Sequence, residues 1–187
     1  MALRNGVQVL YHIDLADEET LDLMEAAKDS IIVGPTLAIY HNMMNEGLSY
    51  GFFDKAKIAP AMERNAWVAQ QVRRRGIKTI IGGDYGLAWQ KHGTNARDIE
   101  HLVNYGGYSN IEALQCATRV GAELMGYGGE LGQIKPAFLA DLLLVRGDPT
   151  KDVRILPDAD NLLAIMKDGK FHKAPMSSAS QTIRVAA

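Results

Sequence analysis

Three short apolar runs, Val7 to Tyr11, Ile31 to Val33 and Ile77 to Ile81, alternate with segments whose apolar residues recur at helical spacing. Strands that are apolar almost throughout are buried on both faces, the situation of a parallel sheet covered by helices. The first helix opens at Asp17-Glu18-Glu19, where carboxylates suit the helix dipole, and continues through Leu21, Met24 and Ala27. A second runs from near Lys55 to Arg75 with Ile58, Met62, Ala66, Ala69 and Val72 on one face. Gly34-Pro35 stops the second strand, and a stretch rich in Met, Asn and Gly reads as a long loop carrying Tyr40 and His41 to about Asp54. The order strand, helix, strand, helix, strand predicts an α/β fold.

The third run ends in Gly82-Gly83-Asp84-Tyr85-Gly86, which delivers one carboxylate at the carboxyl end of a strand. In barrels and doubly wound folds that end is where chemistry sits. Glycine admits a close ligand, and a carboxylate there can hold a divalent cation and take a proton from its water. The same residues also suit a plain tight turn in which Asp84 bonds its own backbone, and the motif alone leaves both readings open.

Beyond it, Trp89, His92 and Asn95 lead into a helix over about Ala96 to Asn104, and Ser109-Asn110-Ile111-Glu112 is a capping box opening a helix that ends near Gly126. From Gly129 the periodicity changes to short apolar runs, Leu131 to Ile134, Asp141 to Val145 and Leu162 to Met166. Asp168-Gly169 before Lys170-Phe171-His172 predicts a hairpin turn. The expected divisions are residues 1–128 for the parallel part, 129–173 for a small antiparallel element and 174–187 for a flexible tail.

A net charge of −2 and a pI near 6.2 give no electrostatic reason to expect nucleic acid or an anionic membrane as partner. Arg73-Arg74-Arg75-Gly76 reads as a solvated helix end. One cysteine, Cys116, excludes an intramolecular disulfide and fits the reducing cytosol. No apolar run approaches the ~20 residues a bilayer span needs, and Met1 to Gly6 lacks the apolar core of a signal peptide, so the expected location is cytoplasmic.

These residues resemble the amidohydrolase superfamily, in its imidazolonepropionase-like and prolidase-like branch. Tyr11-His12-Ile13-Asp14 followed by Asp17-Glu18-Glu19 is similar to that family's sixth barrel strand and the helix after it, and Ile80-Ile81-Gly82-Gly83-Asp84 to its eighth. Gly106-Gly107-Tyr108-Ser109 with Glu112-Ala113-Leu114 and Ala117-Thr118 is similar to the following helix. Gly132-Gln133-Ile134-Lys135-Pro136, Ala140-Asp141-Leu142-Leu143 and Gly147-Asp148-Pro149 resemble the family's C-terminal signature, with Ala137 where glycine is usual.

The resemblance implies a (β/α)8 TIM barrel holding one or two divalent metals at its mouth, plus a small β-sandwich built from both chain ends. A complete barrel takes about 250 residues. The chain is therefore expected to be an incomplete barrel, resembling the last three units, followed by a β element of the composite sandwich. None of the five histidines forms the family's His-x-His pair.

By the same resemblance His12 and Asp84 are metal ligands, Asp84 is also the catalytic acid and base, and the divalent metal is first expected to be zinc. Tyr40, His41, Tyr85 and His92 become candidate substrate-binding residues, although His12 would otherwise read as a hydrogen-bonded strand-end histidine and the aromatic groups as core. His101 and His172 are expected at the surface, and Arg97 either captures a substrate carboxylate or pairs with Asp98 or Glu100 on its own helix.

The implied activity is hydrolysis of an amide or related C–N bond in a small-molecule or peptide-like substrate, incomplete in this chain alone. The expected partner is the missing N-terminal barrel half or another copy of the chain. The alternative is a noncatalytic, truncated amidohydrolase-like module acting in association. A nucleotide-binding domain is disfavoured, because no Gly-x-Gly-x-x-Gly or Walker loop follows a predicted strand.

Overall fold

A computed structural model describes residues 1–51 and 53–175; the tail expected beyond Pro175 lies outside the described residues. Strands β1 (Val9–Tyr11) and β2 (Ile32–Gly34) pair in parallel, Val9 opposite Ile32 and Tyr11 opposite Gly34. The third expected strand is reduced to a parallel bridge between Thr79 and Val33. Val33 N–H donates to Lys78 O and Ile80 N–H to Val33 O, both at 2.9 Å. The ladder stops there because the next donor in this register would be residue 35, a proline with no N–H.

Helix α1 (Glu18–Ala26) begins where Asp17 Oδ1 accepts the Thr20 N–H at 2.9 Å, as the acidic opening predicts. The stretch expected as a loop is instead helix α2 (Leu37–Asn45) followed by a short 3-10 turn. Leu37, Ala38 and Asn42 share its buried face, and the helix-favouring Leu, Ala and Met outweigh the Asn content that suggested a loop. Helix α3 (Lys55–Arg74) lies between two cores. Its Val68 and Val72 join Leu21, Met24, Ile31, Val33 and Ile77, while its Met62 and Ala69 join Leu37, Ile99, Leu102, Tyr108 and Cys116.

Helix α4 (Arg97–Asn104) contributes Ile99 and Leu102 to the second core. His101, expected at the surface, is only 3% exposed, because the stripe of α4 that carries Asp98 and Leu102 turns it inward as well. The Ser109 and Glu112 capping box forms as predicted and opens α5 (Asn110–Gln115). A π-helical turn over Cys116–Val120 then leads into α6 (Gly121–Leu124).

Strands β3 (Leu142–Val145), β4 (Leu162–Lys167) and β5 (Lys170–Lys173) form a separate antiparallel sheet in that order. Positive φ at both Asp168 (48°) and Gly169 (73°) gives the type I′ hairpin that the pair predicts. The run Leu131 to Ile134 is bent and forms no strand.

Ala137 sits at φ 68°, which explains why glycine is the usual occupant of this turn. A left-handed conformation costs an L-residue roughly 1–2 kcal/mol. Part of that returns as unfolded-chain entropy when glycine is introduced. Ala137→Gly is therefore expected to raise stability by about 0.5–1 kcal/mol, read as a shift of the urea midpoint at constant m-value.

Candidate active site

Three chain segments end side by side. β1 runs into His12, β2 into Pro35-Thr36, and the segment bridged to β2 into Gly82-Gly83-Asp84. The Tyr11 ring lies across the neighbouring ends. A Cβ on Gly34 would stand 2.7 Å from Tyr11 Cδ1 and one on Gly82 3.2 Å from Tyr11 Cε1, so both glycines make room for the ring. The backbone then turns sharply, with φ 54° at His12 and 47° at Thr36. Non-glycine residues held there carry about 1–3 kcal/mol each, and such strain clusters at functional sites.

The turn delivers His12 Nε2 to within 3.2 Å of Asp84 Oδ2, with the two side chains 49% and 46% exposed. The other ring nitrogen, Nδ1, is 3.1 Å from Thr36 Oγ1. One helical turn further along α2, the Tyr40 hydroxyl donates to Asp14 Oδ2 at 2.5 Å. The start of α2 thus grips both His12 and Asp14. Behind Asp84, the fully buried Gln90 amide faces Asn42 at 3.0 Å. In the orientation that satisfies both of its ends, Gln90 donates to Ala38 O at 3.2 Å and accepts the Asp84 N–H at 3.3 Å.

The other expected site residues are placed differently. Tyr85 donates its hydroxyl to Asp98 Oδ1 at 2.7 Å, and burial followed by the Asp98 charge raises the phenol well above its usual range. His41 Nδ1 is 2.7 Å from the Tyr105 hydroxyl, and its ring stacks on that of His101 with centroids 4.3 Å apart. His92 is exposed beside Gly86. Arg97 pairs with Glu46 at 3.4 Å. Tyr40, His41 and Tyr85 therefore commit polar atoms to internal partners. Thr36, Asp14, Gln90 and Asp98 were not anticipated as site residues. The signal for Thr36 was its place after Gly-Pro at a strand end; nothing in the sequence pointed to Gln90.

The facing pair presents an imidazole nitrogen and a carboxylate oxygen, donor types that suit a divalent ion. An imidazole that ligates through one nitrogen needs a partner for the other, and Thr36 provides it. The threonine hydroxyl can donate or accept, so it supports either tautomer. His12 and Asp84 supply two of the three or four protein donors such an ion takes. Among the described residues no cluster of three or more His, Cys, Asp or Glu is arranged to hold a metal.

Strand ends that converge on an imidazole and a carboxylate define an α/β architecture that presents these groups at the carboxyl ends of its strands. The chain belongs to the amidohydrolase family, which it matches over residues 2–171. It is 24% identical to an ochratoxinase of Aspergillus niger over 175 residues, 93% of this chain and 35% of the relative. A crystal structure of an amidohydrolase superposes with a TM-score of 0.81 at 31% identity, covering 94% of this chain and 42% of the other. A prolidase complexed with N-methylphosphonate-L-proline superposes with a TM-score of 0.80 at 27% identity, covering 92% and 42%. The chain thus spans about two fifths or less of the length of these relatives. The prolidase-like resemblance read from the sequence is borne out.

The histidine pair behind the site shapes the response to acid. Burial, then His41 and Arg97, lower His101 from its usual 6.5 to about 3. Its stabilising effect is complete above pH 6.5 and is lost as pH falls toward 3. Burial raises Asp98 from 3.8 to about 6, partly offset by the Tyr85 hydrogen bond, so its effect is complete below pH 3.8 and is lost as pH rises through 6. The two oppose each other in the native protein. Between pH 6.5 and 4.5, His101→Phe is expected to gain about 2 kcal/mol relative to wild type, measured as the change in unfolding free energy on acidification.

Proposed function

We propose that this chain carries the His12 and Asp84 share of a metal-dependent hydrolase cleaving amide or related C–N bonds. The observation that supports it is the 3.2 Å approach of His12 Nε2 to Asp84 Oδ2 at the ends of neighbouring strands. A divalent ion bound there, zinc as the first candidate, would lower the pKa of its water toward ~7 and withdraw charge from a substrate carbonyl. His12 would hold the ion as a neutral imidazole. Asp84 would accept the proton of the attacking water and pass it to the departing nitrogen. Its half-exposed carboxylate leaves room for a substrate above it.

Exposed His92 is the proposed polar contact to substrate. Tyr40, His41 and Tyr85, whose polar atoms bond internally, would meet substrate through their ring faces. The similarity to prolidases and to a Xaa-Pro dipeptidase makes peptide-like C–N bonds the first substrate class to try. Buried Cys116, its thiol pushed up to about 12 by burial, suits a reducing compartment, and we place the protein in the cytoplasm.

We read the parallel part as the closing units of a (β/α)8 barrel and β3 to β5 as a share of a composite β-sandwich. Leu143 on the outer strand β3 is 57% exposed, with Leu142 and Leu144 also exposed. A cleft of about 400 Å³ runs past Tyr11, Ile81, Leu124, Met125 and Leu131. Such apolar edges call for cover. The proposed cover is a complementing N-terminal barrel half or a second copy of this chain, which would also bring further metal donors.

The two-donor count favours one rival, a noncatalytic module that associates but no longer holds metal. Metal content and hydrolysis of an Xaa-Pro dipeptide, measured on the complex of this chain with a complementing half and again with Asp84→Ala, separate the two. A complex without metal or activity supports the module. Loss of both on substitution supports the hydrolase.

A further inference from the structure

A small pocket of about 10 Å³ is lined by Thr36, Asp98, Gly82 and apolar neighbours. That is room for about one water molecule, which is stable in such a place when it has polar partners. Thr36 is 1% exposed and its hydroxyl already touches His12 Nδ1. Asp98 is 6% exposed and accepts the Tyr85 hydroxyl on Oδ1, while among the described residues no group donates to its Oδ2. A carboxylate that borders such a pocket offers an acceptor to a water in it.

We propose that Asp98 is a positioning residue for His12, joined to it by a hydrogen-bond relay through one water in this pocket and the Thr36 hydroxyl. The relay has a direction. Ionised Asp98 can only accept, so the water donates to it and Thr36 donates to the water. The remaining Thr36 lone pair then accepts a proton from His12 Nδ1, which leaves Nε2 with its lone pair toward Asp84. Asp84 pulls the opposite way, since its carboxylate faces Nε2 at 3.2 Å and favours a proton there. One imidazole proton is thus contested by two carboxylates, one direct and one at the end of the relay. Tyr85, which follows Asp84 in the chain, also holds Asp98 through its hydroxyl.

The inference deepens the hydrolase reading and rests on it only for the use made of the tautomer, since a free Nε2 lone pair is what a ligating histidine needs. The test is therefore independent of turnover. Long-range proton–nitrogen correlation spectra of the chain at pH 8, where the carboxyl of Asp98 is ionised, report which nitrogen of His12 carries the proton. Asp98→Asn, which can donate into the relay, is expected to move the population several-fold toward the Nε2–H form. Thr36→Val, which keeps the branched shape and removes the hydroxyl, should do the same, and Thr36→Ser should restore the native signal. His12 nitrogen shifts that are the same in wild type, Asp98→Asn and Thr36→Val would overturn the relay, whether or not the assembled protein proves to be a hydrolase. A crystal structure with a water bonded to both Thr36 Oγ1 and Asp98 Oδ2 would support it, and side chains closed over the pocket would contradict it.

Discussion

Asp84→Asn is expected to lower kcat/KM for amide hydrolysis by roughly 10²–10⁴-fold in the complex that supplies the remaining donors. The substitution preserves shape, and the backbone N–H of residue 84 keeps its place against Gln90. What disappears is the basic oxygen that faces His12 and would take the proton of the attacking water. Because the side chain is half exposed and makes no packing contact in either core, the thermal midpoint should barely move. Rate and stability read on the same sample decide the matter. A variant of native rate would remove Asp84 from the chemistry, whereas equal losses of rate and stability would make its role structural.

The second large effect belongs to Gly132. Its φ is +78°, and a Cβ there would lie 2.5 Å from Thr118 O, 2.8 Å from Thr118 C and 2.9 Å from Arg119 Cα, all backbone of the π-helical turn. Backbone cannot swing aside as a side-chain tip can. Left-handed strain of about 1–2 kcal/mol and overpacking of about 1–3 kcal/mol combine, so Gly132→Ala should destabilise by about 3 kcal/mol or more. Gly129→Ala is the control, because nothing lies within 4 Å of the added carbon and its φ is ordinary. Its midpoint should stay within about 0.5 kcal/mol of wild type, and equal effects at the two positions would refute the steric explanation.

Elements whose signals were local were legible in the sequence. The helix opening at Asp17, the capping box at Ser109 and the Asp168-Gly169 turn all form where the residues predict, because each is decided by a few neighbouring backbone groups. Helix α2 was missed because its burial depends on Asn42 meeting Gln90, a contact across the fold that no window contains. The inward turn of His101 was hidden for the same reason, as its ring packs on His41 of another helix.

His12 was read from the family resemblance and Asp84 from its place after a strand and two glycines, and the structure brings the two side chains together. Their supports could not be read in this way. Thr36 reaches His12 only because both residues adopt left-handed backbone, a conformation that sequence rarely announces for a histidine or a threonine. Asp98 looked like one more charge on a helix, yet it is buried against Tyr85.

A zinc titration of the nitrogen-15-labelled chain, following the His12 ring, bears most directly on whether His12 and Asp84 share a cation. The expected result is a shift at Nε2 with Nδ1 still protonated, and binding weakened roughly tenfold or more by Asp84→Asn. A His12 signal indifferent to zinc, or an affinity that Asp84→Asn leaves untouched, would contradict a shared cation.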